Sequence, residues 1–185
     1  MRISDDELIE KYRHGDTEAF NCLVERYSKP LYNFIFRMLR NRAEAEDILQ
    51  EVFLRVIRNV YRYKMKGHFK SWIFTIANKL TISELRKKSR RKTFSVDNYA
   101  DPSNILADTS NPPDSAVERK ELQEKVHEAI DSLPFNQKQV LMMRHFAGLS
   151  FKEIAVVVGC PLNTALGRMH YALINMRKKL EGFYE

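Results

Sequence analysis

Apolar residues recur at the spacing of α-helices over most of the 185-residue chain. The clearest run consists of Ala45, Ile48, Leu49, Val52, Phe53, Val56, Ile57 and Val60. These positions follow the i, i+3, i+4 spacing of a helix with one buried face. An earlier helix is predicted to begin at Asp16 and to be interrupted at Pro30, because proline disrupts a helix interior. A second apolar run then carries Leu31, Phe34, Ile35, Met38 and Leu39.

Two sequences of the form Ser-x-x-Glu predict where helices begin. "SDDE" at 4–7 and "SFKE" at 150–153 each place a serine that can cap a helix and a glutamate that can reach back to it. Gly148 is predicted to end the helix that precedes the second box. With only six glycines and six prolines in the chain, these signals predict an all-α fold.

Charge divides the chain into three parts. Residues 1–95 carry a net charge of +9, residues 96–117 carry −4 and residues 118–185 carry +2. The middle part contains four Asp and no Lys or Arg, is rich in Pro, Ser and Asn, and has no apolar period. We therefore predict two helical domains, 1–95 and 118–185, joined by an extended acidic linker.

The overall charge of +7 favours a polyanionic partner such as nucleic acid, although a basic protein without such a partner remains the simpler alternative. No apolar run is long enough to span a membrane. The histidines and cysteines lack metal-site spacing, so neither a metal nor a cofactor is expected. Cys22 and Cys160 are predicted to be buried thiols of a cytoplasmic protein.

The C-terminal block has the pattern of a helix-turn-helix. Ala155 and Gly159 stand four positions apart, where two helices must approach and the chain must turn. The shared core is predicted to consist of Ile154, Val158, Leu162 and Met169. The second helix, from about Pro161 to Lys179, would lie in a DNA major groove, and an ordinary helical hairpin is the alternative. Candidate contacts to bases and phosphates are Asn163, Thr164, Arg168, His170 and Tyr171.

The helix with the clearest period also has a distinctive outer face. The residues predicted to point outward are Asp47, Gln50, Glu51, Leu54 and Arg55. An exposed leucine among carboxylates and an amide is typical of a protein interface. A solvated face held by a Glu51–Arg55 pair explains the pattern equally well at this point.

An aromatic helix that runs into a basic tract suggests binding of single-stranded nucleic acid. "FKSWIFTIANKL" at 69–80 continues into "RKKSRRK" at 86–92. Aromatic side chains can stack on unpaired bases and cations can follow the backbone. Trp72 is also a candidate for the core, and the basic run could instead be a solvated helix end or a nuclear-localisation tract. The residues predicted to contact DNA here are Lys66, His68, Phe69, Trp72, Thr75, Asn78, Lys79, Arg86, Lys87, Arg90 and Arg91.

These segments resemble a bacterial RNA polymerase sigma factor of the extracytoplasmic-function group. The stretch from "FNCLVERY" to "FLRVIRN" resembles the family's first conserved region, and "FKSWIFTIANKLTISELRKKSRR" resembles its promoter-melting region. "LPFNQKQVLMMRHFAGLSFKEIAVVVG" resembles its C-terminal domain. The resemblance covers nearly the whole chain and has three motifs in the expected order.

The resemblance implies a role for each segment. The face with Asp47, Gln50, Glu51 and Leu54 would grip the β′ clamp helices of core RNA polymerase. The loop from Lys66 to Phe69, with Asn78 behind it, would capture a flipped base of the −10 element, and the basic tract would follow phosphates of the melted strand. The C-terminal domain would read the −35 duplex and touch the β flap. The acidic linker would thread through the active-site cleft, and an anti-sigma factor is an expected partner.

One departure from the family pattern leads to a further hypothesis. Leu166, Tyr171 and Leu173 stand where the family often has basic residues. We therefore expect weak −35 binding that the −10 element or a DNA-bound recruiting partner assists. A different base preference with full affinity is an equal alternative. The competing functions are a helix-turn-helix regulator that never joins polymerase and an enzyme such as a nuclease, for which no catalytic constellation is visible.

Overall fold

The computed structural model describes residues 3–64, 67–92 and 116–181, without the side chains of residues 91–92 and 116–121. These residues form eight α-helices and one 3-10 turn, which confirms the all-α prediction. The helices of the first half are α1 Asp5–Arg13, α2 Thr17–Leu39, α3 Arg42–Asn59, followed by the 3-10 turn Val60–Arg62, and α4 Phe69–Lys92. Those of the second half are α5 Ala116–Asp131, α6 Phe135–Ala147, α7 Phe151–Val158 and α8 Leu162–Glu181.

Side-chain caps set the starts of several helices as the sequence predicts. Both capping boxes are present: the Ser4 hydroxyl accepts from the backbone N–H of Glu7, and the Ser150 hydroxyl accepts from that of Glu153, each at 3.3 Å. The Asp16 carboxylate caps α2 by accepting from the backbone N–H of Ala19 at 3.2 Å. Each cap satisfies a backbone donor that the first helical turn leaves without a partner.

The predicted interruption at Pro30 is wrong, because α2 is continuous from Thr17 to Leu39. An interior proline costs about 3 kcal/mol through a lost hydrogen bond and a clash with the preceding turn. Here the apolar residues on both sides of it, among them Leu23 and Leu31, are fully buried in the same core. Burial of these large side chains on one helix face outweighs the local penalty.

The first half is built around α2, which packs against α1, α3 and α4. The apolar face predicted for α3 is buried at Ala45, Ile48, Val52 and Val56, but Ile57 is exposed. Phe34 of α2 meets Phe74 of α4 edge to face, with ring centroids 6.0 Å apart. This geometry is preferred by aromatic pairs and helps to fix α4 on the bundle.

The second half contains the predicted helix-turn-helix. Gly159 ends α7 with φ +72°, a left-handed conformation that favours glycine, and the chain then turns into α8. Ile154 and Ala155 are buried as expected, but Leu162 is exposed, because it lies beside the face of α8 that Ala165 and Ala172 bury. The small size of these two alanines allows the helices to approach closely.

The two halves pack on each other through α2 against α6 and α4 against α7. Their buried apolar side chains form one continuous cluster. Most of the predicted acidic linker, residues 96–117, lies outside the described residues.

Candidate functional site

The outer face of α3 presents the predicted cluster to solvent. Asp47, Gln50, Leu54 and Arg55 are exposed, and Glu51 is half-buried. The Arg55 Nε donates to a Glu51 carboxylate oxygen at 2.7 Å. This hydrogen bond holds the pKa of the Glu51 carboxyl below its ordinary value. Leu54 is 46% exposed between these charged groups.

The apolar part of this face is larger than the sequence suggests. Ile57 and Tyr61 are also exposed, and they follow Leu54 at steps of three and four residues. A helix places such positions on one side, so the three side chains form a stripe along α3 and the 3-10 turn. We call this stripe, together with Asp47, Gln50, Glu51 and Arg55, the α3 outer face.

A cavity of about 300 Å³ lies between the end of α3 and the start of α4. Its lining residues are Arg55, Asn59, Arg62, Tyr63, Trp72, Ile76 and Lys79. The Tyr63 and Trp72 rings lie with centroids 5.0 Å apart at 39°. The cavity therefore combines aromatic and aliphatic walls with three cations, a combination that suits an unstacked base and its phosphate.

Contacts from α1 hold the backbone beside the cavity. The Asp6 carboxylate accepts from the Tyr63 hydroxyl at 3.1 Å and from the Gly67 backbone N–H at 2.7 Å. The Arg13 Nε donates to the Val60 carbonyl at 3.1 Å. One helix therefore anchors both the turn that carries Tyr63 and the loop residue that precedes α4.

Two predicted DNA-contact residues are buried in this arrangement. Phe69 is 1% exposed and packs against Tyr63 and Trp72, with centroids 5.7 Å away in each case. Asn78 is 4% exposed and is not among the residues that line the cavity. Its side chain bonds to α6 and α7. Neither the Phe69 ring nor the Asn78 amide is open to a base here, because both serve packing.

The other predicted residues near the loop differ in their placement. His68 and Lys79 are exposed. The Thr75 hydroxyl donates to the Ser71 carbonyl at 2.7 Å, which directs it back onto its own helix. Lys66 lies outside the described residues.

The basic tract continues α4 as a helix. Arg86, Lys87 and Arg90 are exposed, and the side chain of Arg91 lies outside the described residues. Lys87 pairs with Glu84 at 3.0 Å, an exposed contact that solvent and salt weaken. The helix therefore keeps its positive charges on the surface beyond the cavity.

The predicted reading helix, α8, presents two different flanks. Thr164, Arg168 and Tyr171 follow one another at steps of four and three and form a polar flank. Leu162, Leu166 and Leu173 form an exposed apolar flank on the other side. Asn163 and His170, both exposed, lie between the flanks and opposite the buried alanines.

The comparisons with known proteins identify the family. A model of sigma-70 region 2 matches residues 23–91, and a model of sigma-70 region 4 matches residues 123–174. The ECF RNA polymerase sigma factor SigW of Bacillus subtilis is 32% identical over 185 residues, which cover 97% of this chain and 98% of that protein. The chain belongs to the extracytoplasmic-function sigma factors. The RNA polymerase sigma-H factor of Pseudomonas aeruginosa is similar too, at 30% identity over 182 residues covering 96% of this chain and 94% of that protein.

Solved structures share the fold of this chain. The sigma factor RpoE of Bartonella quintana, solved with the anti-sigma factor NepR, gives a TM-score of 0.73 at 20% identity, covering 88% of this chain and 96% of that chain. CnrH, solved with the cytosolic domain of CnrY, gives a TM-score of 0.68 at 18% identity, covering 97% of this chain and 99% of that chain. These likenesses agree with the all-helical architecture of this sigma factor.

Family membership confirms the predicted function. This sigma factor directs promoter recognition and transcription initiation by RNA polymerase, and it is not itself an enzyme. The polymerase-independent regulator and the nuclease are therefore set aside. Among the described residues, no helix is long and apolar enough to cross a membrane.

The structure adds residues to the cavity and to the α3 outer face that the sequence did not predict. Tyr63, Arg62 and Asn59 line the cavity with Ile76, and Ile57 and Tyr61 extend the α3 outer face. One available signal was the alternation of Tyr and Arg in "VYRYK", directly before the loop. Ile57 gave no such signal, because it fits the apolar period of the buried face.

Proposed function

We propose that the sigma factor docks on core RNA polymerase through the α3 outer face, with the β′ clamp helices as the partner. The observation that carries this proposal is an exposed apolar stripe, Leu54, Ile57 and Tyr61, bordered by the charged and amide groups of the same helix. An interface centre that is apolar and surrounded by polar groups is typical of specific protein association. Arg55 also lines the cavity, so polymerase and DNA would be held on adjoining surfaces.

The cavity between α3 and α4 is our proposed receptor for a flipped base of the −10 element. Trp72 and the edge of the largely buried Tyr63 supply aromatic lining, and Ile76 supplies aliphatic lining. Lys79 and Arg62 stand at the same site, where they can pair with the phosphates of the extruded nucleotide. This assignment replaces Asn78 as a base-capturing group while keeping Trp72 and Lys79 from the sequence prediction.

The remaining DNA contacts follow from the exposed cations and from α8. Arg86, Lys87, Arg90 and Arg91 would follow the phosphates of the melted strand. In α8, the polar flank with Asn163 and His170 would read the −35 duplex, while the same domain would touch the β flap. We assign these roles to domains at 1–95 and 118–185, with residues 96–117 as the linker.

We further propose that −35 reading is weak and partner-assisted. Arg168 is the sole Lys or Arg between Cys160 and Met176, so few phosphate contacts can form and affinity for duplex DNA should be low. The exposed Leu162, Leu166 and Leu173 offer a recruiting partner an apolar surface beside the DNA-reading face. Since a structurally similar sigma factor was solved with an anti-sigma factor, we expect such a regulator here, and we place the protein in the cytoplasm with its polymerase.

A paired set of variants tests the docking surface. Asp47→Arg with Leu54→Ala is expected to abolish holoenzyme formation with core polymerase in gel filtration. The matched control is Glu25→Arg with Leu122→Ala, since Glu25 is an exposed acid and Leu122 is 46% exposed, as Leu54 is. Equal binding by both double variants would refute the assignment of this face.

A randomised promoter library tests the promoter roles with intact holoenzyme. Transcripts that share a −10-like motif alone would support weak −35 reading. A strongly selected −35-like motif would contradict it. Trp72→Ala holoenzyme that still melts a selected promoter at the wild-type rate would exclude the cavity as the base receptor.

A further inference from the structure

Basic side chains from three helices gather around one carboxylate at the end of α2. Arg37 and Arg40 belong to the last turn and cap of α2, His127 to α5 and Lys138 to α6. The Arg40 Nε donates to Asp131 Oδ1 at 3.0 Å, and the Lys138 Nζ donates to the same oxygen at 2.7 Å. The Asp131 carboxylate is therefore already shared between two cations. None of the ion pairs among the described residues involves Arg37.

Arg37 is buried with one of its donors unused. It is 9% exposed, and its Nη1 has no hydrogen-bond partner among the described residues. The guanidinium carbon lies 5.5 Å from the centroid of the Phe146 ring. An aromatic ring attracts a cation, but it supplies no oxygen acceptor for the N–H donors of the guanidinium. Because a buried donor without an acceptor is destabilising, an oxygen acceptor at this point would be strongly favoured.

The cluster also has more positive than negative charge. Burial, with Arg40 and Arg37 nearby, lowers the pKa of Lys138 to about 8, so its ammonium group is mostly charged at neutral pH. Burial and the same arginines lower the pKa of His127 to about 4, so its imidazole is neutral there. Two guanidinium groups and one ammonium group thus accompany the single carboxylate of Asp131. Arginine does not lose its proton in proteins, so an anion is needed to balance this excess.

The exposure of the cluster limits the size of an anion that can enter. The side chains of Arg40 and Asp131 are about one-third exposed, at 36% and 34%, and form its outer edge. Arg37 and Lys138 lie deeper, and each is 9% exposed. A phosphate of duplex DNA is fixed to a wide polymer and cannot reach such buried groups. A small, freely diffusing anion can approach past Arg40.

We propose that Arg37, Arg40 and Lys138 bind a small phosphate anion at this junction of α2, α5 and α6. Donors that converge from two helices suit a tetrahedral group, whose oxygens point in several directions, better than a planar carboxylate. Arginine and lysine are the side chains that most often bind phosphate. A phosphate group carries about −1.5 to −2 charges at pH 7, which matches the excess of the cluster. The inference is independent of the roles proposed for the α3 outer face, the cavity and α8.

Isothermal titration calorimetry of the full-length protein with inorganic phosphate tests the site. The titration is done at pH 7 in a chloride buffer of constant ionic strength, and the wild type is expected to show one saturable site. Arg37→Met should weaken binding at least about tenfold, because it removes a hydrogen bond between charged groups. Arg58→Met, on the exposed surface of α3, is the matched control and should bind phosphate as the wild type does.

Asp131→Asn tests the same site in the opposite direction. It removes the negative charge that competes with phosphate for Arg40 and Lys138, so phosphate should bind about three- to tenfold more tightly. Without phosphate, the Tm of this variant should lie below that of the wild type, because two cations lose their partner. Saturating phosphate should restore it. Phosphate also stabilises proteins non-specifically, so the Tm change is compared with that of Arg37→Met at the same phosphate concentration.

A parallel titration with ATP, without divalent cations, separates two sources of the phosphate group. Tighter binding than inorganic phosphate, with the same loss in Arg37→Met, would support the site and assign it to a nucleotide. Weaker binding of ATP beside saturable binding of phosphate would support a site for the free anion. No saturable phosphate binding, equal affinity in the wild type and Arg37→Met, or an equal loss in Arg58→Met would overturn the proposal. Weaker binding by Asp131→Asn would overturn it as well.

Discussion

Replacement of Arg37 by methionine should stabilise the protein. A buried donor without a partner costs about 1–3 kcal/mol, and Arg37 Nη1 is such a donor among the described residues. The guanidinium lies 5.5 Å from the Phe146 ring centroid, a contact that contributes about 0.5–1 kcal/mol. Methionine keeps an apolar contact with that ring, so the net expected gain is about 1–2 kcal/mol.

Thermal unfolding followed by circular dichroism measures this gain. For a chain of this size, 1 kcal/mol shifts Tm by about 2–4 °C, so Arg37→Met should raise Tm by about 2–8 °C. Arg37→Lys keeps the charge and should not raise Tm. Arg58→Met is a control on the exposed surface of α3 and should change stability by less than about 0.5 kcal/mol. A Tm that is unchanged or lower in Arg37→Met would refute the argument that the buried Arg37 guanidinium destabilises the fold.

Three further predictions concern the α7 cap, the buried imidazole of His127 and the cavity. Ser150→Ala removes the α7 cap and should destabilise the helix-turn-helix by about 1 kcal/mol in urea unfolding, whereas Ser150→Asp should retain most of the stability. Burial, together with the nearby Arg37 and Arg40, lowers the pKa of His127 to about 4 in the folded protein. As pH falls from about 6.5 toward about 4, the unfolded chain takes up the proton first, so the free energy of unfolding decreases. Tm should therefore fall over that range, and a His127→Gln variant should show a smaller fall. Lys79→Ala should slow promoter melting, measured by permanganate reactivity, and reduce the salt dependence of single-strand binding by roughly 0.7 in log–log slope if one phosphate contact is lost.

The features that sequence predicts well are those set by local geometry. The α3 period, the caps at Ser4 and Ser150 and the turn at Gly159 depend on positions a few residues apart. Their energies arise within one helix or one turn, so they can be recognised without knowledge of the neighbours. The candidate docking face follows the same logic, because the outer side of a helix is set once its buried side is known.

The features that sequence predicts poorly depend on distant partners. Pro30 stays within α2 because residues on both sides of it pack in one core. The sequence predicts that Phe69 contacts an unpaired base. Its ring instead packs between Tyr27 and Tyr63, with ring centroids 5.4 and 5.7 Å away. Cys22 is exposed rather than buried, since it lies on the solvent side of α2. None of these outcomes can be predicted from residues that are close in sequence.

The packing of the fourth helix explains why the cavity cannot be predicted from the sequence. Its residues divide among three faces: one packs into the core, one lines the cavity through Trp72, Ile76 and Lys79, and one meets the second half through Lys70 and Asn78. A helix contacted on so many sides has no single apolar stripe, so its period cannot reveal which polar residues are functional. The cavity and the contact with the second half therefore belong to one helix, and a substitution on α4 must be assigned to one of its three faces before its effect on promoter melting can be interpreted.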